Sequence, residues 1–486
     1  MSERSWRGQW WVPEEPEVVV PGTLYSAEDG RLRLELVGGF DTEIRTPLPG
    51  GNGYTVSMES RDFPLIHGAS GSELFTLIDT HAAYTSGVGF FRGEIVVQDL
   101  SPNRVLRGIH LQSSDEAVFV RSHLQLERLL HWSARSTFDL RLLLSEDGSI
   151  RERRATTHEV QPVTASYGDM TIGLGVRGTE FNIVHRPVAN RRSMETAESA
   201  TLDFEASKPV SFAVFDMVDK DMQDLLTLCA YEPCGSHRQS LIFRTSGTQS
   251  GPFETKEAEV LGRQVFQTEG KEKDKPYHHF LFTLEDLDFP ELVPRWLALK
   301  DSARLGFNIL FGLRYISTGY VGPRLLGVAT AAENIHRALC PTSTPLPKPI
   351  YKALKAKLLD AIPDEPEHVR EFVKQGLRND PTYNERMLEL ASIPDADAVD
   401  RLLTDRAEWA TRLKNARHDL AHANERSAQD PDPPTAFWLL EVTYALLCLV
   451  AMSKLELSPE IQRRAVDNPK IQWASYQFKK ILATPQ

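Results

Sequence analysis

Cysteine is scarce in this chain: four in 486 residues, Cys229, Cys234, Cys340 and Cys448. None forms a CxxC pair, and so few cysteines in so long a chain read as a reduced protein rather than a disulfide framework. The stretch CAYEPCGSH brings Cys229, Cys234 and His237 close in sequence. No second Cys/His pair stands at matching spacing, so buried cysteines beside a turn are the expectation. Positive charge is also short. The formal net charge is −12, which excludes a broadly basic nucleic-acid coat. The deficit is uneven: residues 301–486 carry 24 Lys and Arg against 23 Asp and Glu, and the first 300 carry 31 against 44. A local basic cleft in the back half stays open, and an acidic front half would repel RNA. A long apolar run is missing too. Glu441 interrupts TAFWLLEVTYALLCLVAM (435–452), leaving 12 uncharged residues from Val442 to Ser453. A bilayer needs about 20, so this segment reads as a buried core helix. The N-terminal MSERSWRGQWW has no apolar run of signal-peptide length. A cytoplasmic location without a membrane partner is the expectation.

What is present falls into three textures. The front reads as strands. RLRLELV (31–37) alternates Leu32, Leu34 and Leu36 with charged residues, the period of a half-buried strand. FFRGEIVVQDL (90–100), DEAVFVRSHLQL (115–126), TFDLRLLLS (137–145), MTIGLGV (170–176) and KPVSFAVF (208–215) continue it, with PG, DG and GG turn signals between such runs. The middle is mixed. KDMQDLLTLCAY (220–231) reads as helix, 255–282 as a hairpin with GKEKDKP at its tip, and 282–317 as helix with a proline break near 290–294. The back is helix and loop. The spacing predicts helices near 324–340, 350–361, 366–378, 382–392, 397–424 and 435–454, and one opened by Ser458 as N-cap with Pro459 at its first position. The expected fold is multidomain α+β. An antiparallel β-rich sandwich or barrel-like domain covers 1–215, a mixed region 216–318 and an all-α bundle 319–486.

Two motifs bear on chemistry. GLGVRG (173–178) fits GxGxxG, but a dinucleotide fingerprint needs a helix directly after the glycines, and TEFNIVHRPV reads as strand. No nucleotide site is expected there. KNARHDLAHANE (414–425) places an arginine and two histidines on a helix. His418 and His422, four apart, share a face and could hold zinc. The match to HExxH fails at Asp419, which stands where the general-base Glu is required, and no third ligand follows. The other reading uses no metal. The 2′-OH of RNA is an internal nucleophile; an imidazole moves the protons and an arginine fork holds the phosphate. Arg417 and His422 supply those groups. Five residues put them about 140° apart around a helix, so one straight helix makes an incomplete site and a two-fold dimer would complete it. Asn415, His418 and His422 share one stripe that could line the groove.

Arg417-His418-Asp419-Leu420-Ala421-His422 resembles the RxxxxH motif of HEPN domains, with a polar residue directly after the arginine. AAENIHR (331–337) is similar to the early-helix ALExxHR pattern of the ApeA-like branch. VVVPGTLYSAEDGRLRLELVGGF, IHGASGSELFTLIDT, LLHWSARSTF and PRWLALKDSARLGFNIL resemble other segments of the same branch. The resemblance implies an all-α HEPN bundle, often dimeric, and a metal-independent ribonuclease that cleaves cellular RNA, tRNA the expected class, in bacterial anti-phage defence. It implies Arg417 and His422 as catalytic, with His418 and Asp419 tuning them, and Glu333, His336 and Arg337 as candidates for the same cleft. No cofactor or metal is expected. The expected partners are RNA, a second copy or higher homo-oligomer, and a phage-derived trigger sensed by the front domain. The rival reading is an inactive HEPN bundle that binds RNA or protein.

Overall fold

The alternation in RLRLELV predicts a strand with one buried face. In the computed structural model, Leu32, Leu34 and Leu36 are buried while Arg33 and Val37 are exposed. The structure describes residues 4–483, apart from 28, 42, 48–53, 61, 88–94, 179–181, 187–190, 196, 246–253, 263–279, 317–318, 342–343, 363–366 and 423–432. The chain forms two units, Met1–Tyr277 with Thr283–Pro294, and His278–Phe282 with Arg295–Gln486.

Unit 1 begins with β1 (Arg4–Trp11), β2 (Val20–Ser26) and β3 (Leu32–Val37). A small hairpin follows, β4 (Glu43–Pro47) and β5 (Tyr54–Ser60), then β6 (Phe63–Ser70), β7 (Glu73–Gly87) and β8 (Ile95–Arg107). The order β8-β3-β2-β1-β6-β7 closes through β7–β8 into a six-stranded antiparallel barrel. Its interior is filled by Trp10, Leu24, Leu34, Phe63, Phe75 and Leu100 among others. Closure removes the free edges that would invite strand addition.

The sheet continues beyond the barrel. β8 gives one edge to β7 and shares the other between β3 and a later strand. The remaining elements of unit 1 are β9 (Phe119–Leu126), α1 (Leu129–Ser133), β10 (Phe138–Leu144), β11 (Ile150–Thr157), β12 (Val163–Tyr167), β13 (Met170–Gly178), β14 (Asn182–Arg186), β15 (Arg191–Glu195), β16 (Glu198–Val210), α2 (Phe212–Ala230), β17 (Ser236–Thr245) and β18 (Glu254–Gly262). From β8 the order runs β18-β17-β9-β16-β13-β12. GLGVRG lies within β13, so it presents no phosphate-binding helix. Cys229 and Cys234 are both buried thiols.

One expectation is corrected here. KPVSFAVF is not one strand: β16 ends at Val210, and α2 has already begun at Phe212, which buries Phe212 and Phe215 on a helical face. Of the expected hairpin over 255–282, the first arm is β18, which pairs with β17 and with β8, and residues 263–279 lie outside the described residues. GKEKDKP lies outside the described residues.

Unit 2 is helical: α3 (Phe289–Ser302, whose first residues belong to unit 1), α4 (Arg304–Tyr315), α5 (Val321–Leu339), α6 (Lys348–Asp360), α7 (Glu367–Gly376), α8 (Tyr383–Leu390), α9 (Ala396–Leu403), α10 (Arg406–His422), α11 (Pro433–Lys454), α12 (Pro459–Ala465) and α13 (Pro469–Ala483). The mixed stretch 216–318 is thus shared between the units, α2, β17 and β18 falling in the first and α4 in the second. Pro294 sits inside α3, and the break comes later, at Ala303. The predicted helix over 397–424 is two helices. Thr404 takes a left-handed φ of 65°, and Asp405 then caps α10 by accepting from Glu408 N at 2.9 Å. Ser458 caps α12 as its sequence predicts, accepting from Ile461 N with Pro459 following.

α11 is long and apolar enough to cross a membrane by length and composition, yet 78% of its most apolar stretch is buried within the fold. It packs against α5, α9, α12 and α13. Glu441, the charge that interrupts its sequence, takes both Arg314 Nη atoms in a bidentate pair at 3.1 and 2.9 Å. The guanidinium also stacks 3.8 Å from the Tyr444 ring centroid. An ion buried with its partner is tolerated, whereas one left alone is not. Close approach of α4 to α5 depends on Gly306: a Cβ there would meet Ile335 Cγ1 at 2.6 Å.

Buried carboxyls make two stability effects measurable. Glu441→Ala removes the bidentate partner of Arg314 and should cost about 3 kcal/mol or more in chemical denaturation; a loss under about 1 kcal/mol would mean that the pair contributes little. Asp219, buried on α2, accepts from Ser122 Oγ at 3.0 Å and from Gln239 Nε2. Burial pushes its carboxyl up to about 8. A raised folded value means the stabilised form is the protonated one. That contribution is complete below the unfolded value near 3.8 and is lost as pH rises through about 8. Melting temperature should therefore fall between pH 4 and 8 more steeply in wild type than in Asp219→Asn; parallel curves would refute the assignment.

Candidate functional site

The C-terminal end of α10 meets α5 and α8. On α10, Trp409, Leu413 and Ala416 are buried, and Trp409 Nε1 donates to Thr443 Oγ1 on α11 at 3.0 Å. This packing fixes the helix in rotation and puts Arg417 at the border of the buried face. Its guanidinium donates to Glu333 Oε2 on α5 at 2.8 Å. The same guanidinium lies 5.0 Å from the Tyr383 ring centroid on α8. Tyr383 is held in turn by donating to the Ala329 carbonyl at 3.0 Å. Burial raises the Tyr383 hydroxyl above its ordinary value, and the Arg417 charge opposes that rise without cancelling it. The ring therefore stays a neutral shelf under the cation.

Glu333 serves two arginines. Its Oε1 accepts from Arg337 Nη2 at 2.8 Å, one turn along α5, while Oε2 takes Arg417. The carboxylate side chain is 16% exposed, against 39% for Arg417 and 61% for Arg337. Two guanidiniums thus converge on one nearly buried carboxylate, with their outer faces toward solvent. The trio carries a net charge of one plus, which suits a single phosphate.

The structure brings Arg417, Glu333 and Arg337 together, as the two motifs suggest. It does not bring His336 to that surface. His336 is completely buried and turns to α8, where Nε2 meets Glu389 Oε2 at 2.9 Å and Nδ1 meets Arg386 Nη1 at 3.4 Å. Placing His336 on a cleft that lines RNA is therefore corrected: on α5 it is one residue from Arg337 and so about 100° around the helix, on the packed side. Asn415 and His418 are exposed, and Asp419 is half-buried. His422 is the last residue of α10, and its side chain lies outside the described residues. By helical register Asn415, His418 and the His422 position form one stripe, centred about 130° from Arg417 and opposite the buried face.

Sequence reasoning missed Tyr383, Arg386 and Glu389. The available signal was PTYNE: Thr382 and Glu385 form a reciprocal capping box that fixes the start of α8. From that start, Tyr383, Arg386 and Glu389 fall three apart along one flank.

Comparison with known families decides the lineage. Residues 5–296 match the family described as ApeA N-terminal domain 1, and residues 326–461 match Apea-like HEPN. The chain belongs to the ApeA family. No curated protein and no solved structure matches it. The HEPN match takes in α5 from Leu326 through α11 and so includes every residue of the Arg417 cluster.

If Arg337 and Arg417 share one anion, Glu333 competes with it. Glu333→Gln removes that competition while keeping a hydrogen-bond acceptor. Pyrophosphate should then raise the melting temperature of Glu333→Gln more than that of wild type. Equal shifts would show that the two arginines do not act on one ligand.

Proposed function

We propose that this ApeA-type HEPN chain is a metal-independent endoribonuclease of bacterial anti-phage defence that acts on cellular RNA, with tRNA as the substrate class. The observation that carries the reading is the fixed, half-exposed Arg417 guanidinium, held by Glu333 and Tyr383 five residues before His422. Arginine never loses its charge and offers a planar fork, so a held Arg417 can clamp the scissile phosphate and steady the phosphorane. His422 takes the proton of the 2′-OH and returns one to the leaving 5′-oxygen, work for which imidazole is the natural side chain. His418 and Asp419, on the same turn, tune that exchange. The products are a 2′,3′-cyclic phosphate and a 5′-OH end.

The proposal includes a homodimer. Arg417 and the His418/His422 stripe point in different directions from one helix, and the stripe faces away from the core of unit 2. A two-fold axis beside α10 would set the stripe of one copy near the arginine of the other. The barrel unit serves as the sensor or restraint in this reading, responding to a phage-derived trigger.

The test is cleavage of total cellular RNA, tRNA included, with EDTA present throughout. Wild type should cut, and His422→Ala should lose roughly 10²–10⁴ in rate, the usual worth of positioned acid–base help. Arg417→Lys should also lose activity, since an ammonium is a point charge without the fork. RNA bound but uncut by wild type, with trigger present, would favour the binding-module reading. Cutting that appears only on adding zinc would move the chemistry to a His418/His422 metal site.

A further inference from the structure

One cluster in unit 2 takes no part in the proposed cleavage. His336 and Cys340 stand four residues apart at the C-terminal end of α5, on one face. Glu389 reaches them from α8. His336 Nε2 lies 2.9 Å from Glu389 Oε2, the Cys340 thiol donates to the same carboxylate, and all three donor atoms lie within 4.8 Å of one another. Among the described residues this is the one group of three such donors close enough to hold a metal ion.

We propose that His336, Cys340 and Glu389 form a binding site for a borderline-soft divalent cation, Zn²⁺ by its donor set. Imidazole, thiolate and carboxylate are the three protein ligand types zinc takes, and three of them with one open position is a familiar arrangement. Ligand atoms around a tetrahedral zinc lie roughly 3.3–3.8 Å apart, given bond lengths of about 2.0–2.3 Å. The cluster reaches that spacing by adjustments of about an ångström or less. An entry path exists, because burial is graded: His336 is completely buried, Cys340 is half-buried and the Glu389 side chain is 40% exposed.

Proton balance is simple. On binding, the Cys340 thiol gives its proton to solvent and the sulfur becomes a thiolate ligand. The imidazole moves its proton from Nε2 to Nδ1, freeing the Nε2 lone pair for the metal. Glu389 exchanges its hydrogen bonds from both groups for a bond to the ion. Arg386 is the opposing group, since its Nη1 donates toward Nδ1 in the metal-free arrangement. It must release Nδ1, and its Nε remains on the Pro381 carbonyl at 3.2 Å. Burial raises the Cys340 thiol, and the Lys454 charge works against that rise.

The location gives the ion a consequence. α5 carries Glu333 and α8 carries Tyr383, the two residues that hold Arg417. A metal joining Cys340 and His336 to Glu389 would staple those helices together. This inference does not depend on the ribonuclease reading.

The experiment is Co²⁺ titration of the full chain after chelator treatment, followed by absorption. One Co²⁺ per chain should give tetrahedral d–d bands and a thiolate-to-cobalt charge-transfer band, with a rise in melting temperature. Cys340→Ser should lose the charge-transfer band while keeping its circular dichroism; Cys229, Cys234 and Cys448 remain in that variant as controls. Glu389→Gln should weaken binding at least several-fold. Arg386→Gln, which removes the opposing charge and offers Nδ1–H an acceptor, should tighten it. No thiolate band in wild type, or a band that persists in Cys340→Ser, overturns the site. Binding seen only in Arg386→Gln also overturns it for the natural chain. None of these readouts involves RNA, so failure here leaves the cleavage proposal to its own test.

Discussion

The interaction on which the candidate site depends is the double pairing at Glu333. One carboxylate, largely shielded by α5 and its neighbours, takes Arg337 on one oxygen and Arg417 on the other. The pairing decides more than stability. A free arginine side chain samples many rotamers, and fixing it costs side-chain entropy of the order of 2 kcal/mol. Glu333 and the Tyr383 ring supply that ordering before any ligand arrives. The carboxylate also sets the charge: two guanidiniums alone would attract any polyanion, whereas the trio keeps one excess positive charge, placed at a defined point.

The same logic recurs in the core of unit 2. α11 is nearly all apolar, and Glu441 is the residue that breaks its run. The structure answers it with Arg314, bound through both nitrogens and stacked on Tyr444. A charge in an apolar helix costs free energy unless a partner of matching geometry is built beside it. Here the partner comes from α4, whose close packing on α5 relies on Gly306. The helix that sequence reads as buried is thus also the one that ties α4 into the bundle.

Where the local pattern determined the structure, the sequence was legible. Alternating leucines gave β3 its buried face, and Ser458-Pro459 opened α12. The resemblance of two segments brought Glu333, Arg337 and Arg417 to one place. Legibility failed where tertiary context overrode the pattern. VSFAVF has the composition of a strand, yet Phe212 and Phe215 pack as a helix start on α2. The break at Thr404 depends on one left-handed residue that is neither glycine nor asparagine, which no turn rule flags. His336 stands beside Arg337 in the chain, and adjacency suggested a shared role. Rotation of about 100° per residue sent one to the surface and the other into the packed side. Tyr383 and Glu389 were invisible because their importance arises only when α8 docks on α5.

The two faces of α10 pose the remaining physical problem. Its inner border locks Arg417 onto α5 and α8, and its outer stripe carries Asn415, His418 and the position of His422. In the proposed cleavage, a phosphate gripped at one side of a straight helix leaves its neighbouring 2′-OH away from a stripe about 130° around that helix. The proposed second copy would solve the problem without strain. The outward stripe then has a reason to be polar and ionisable rather than merely solvated, and the arginine has a reason to be fixed while half-exposed. In the proposed ribonuclease reading, assembly belongs to the catalytic geometry.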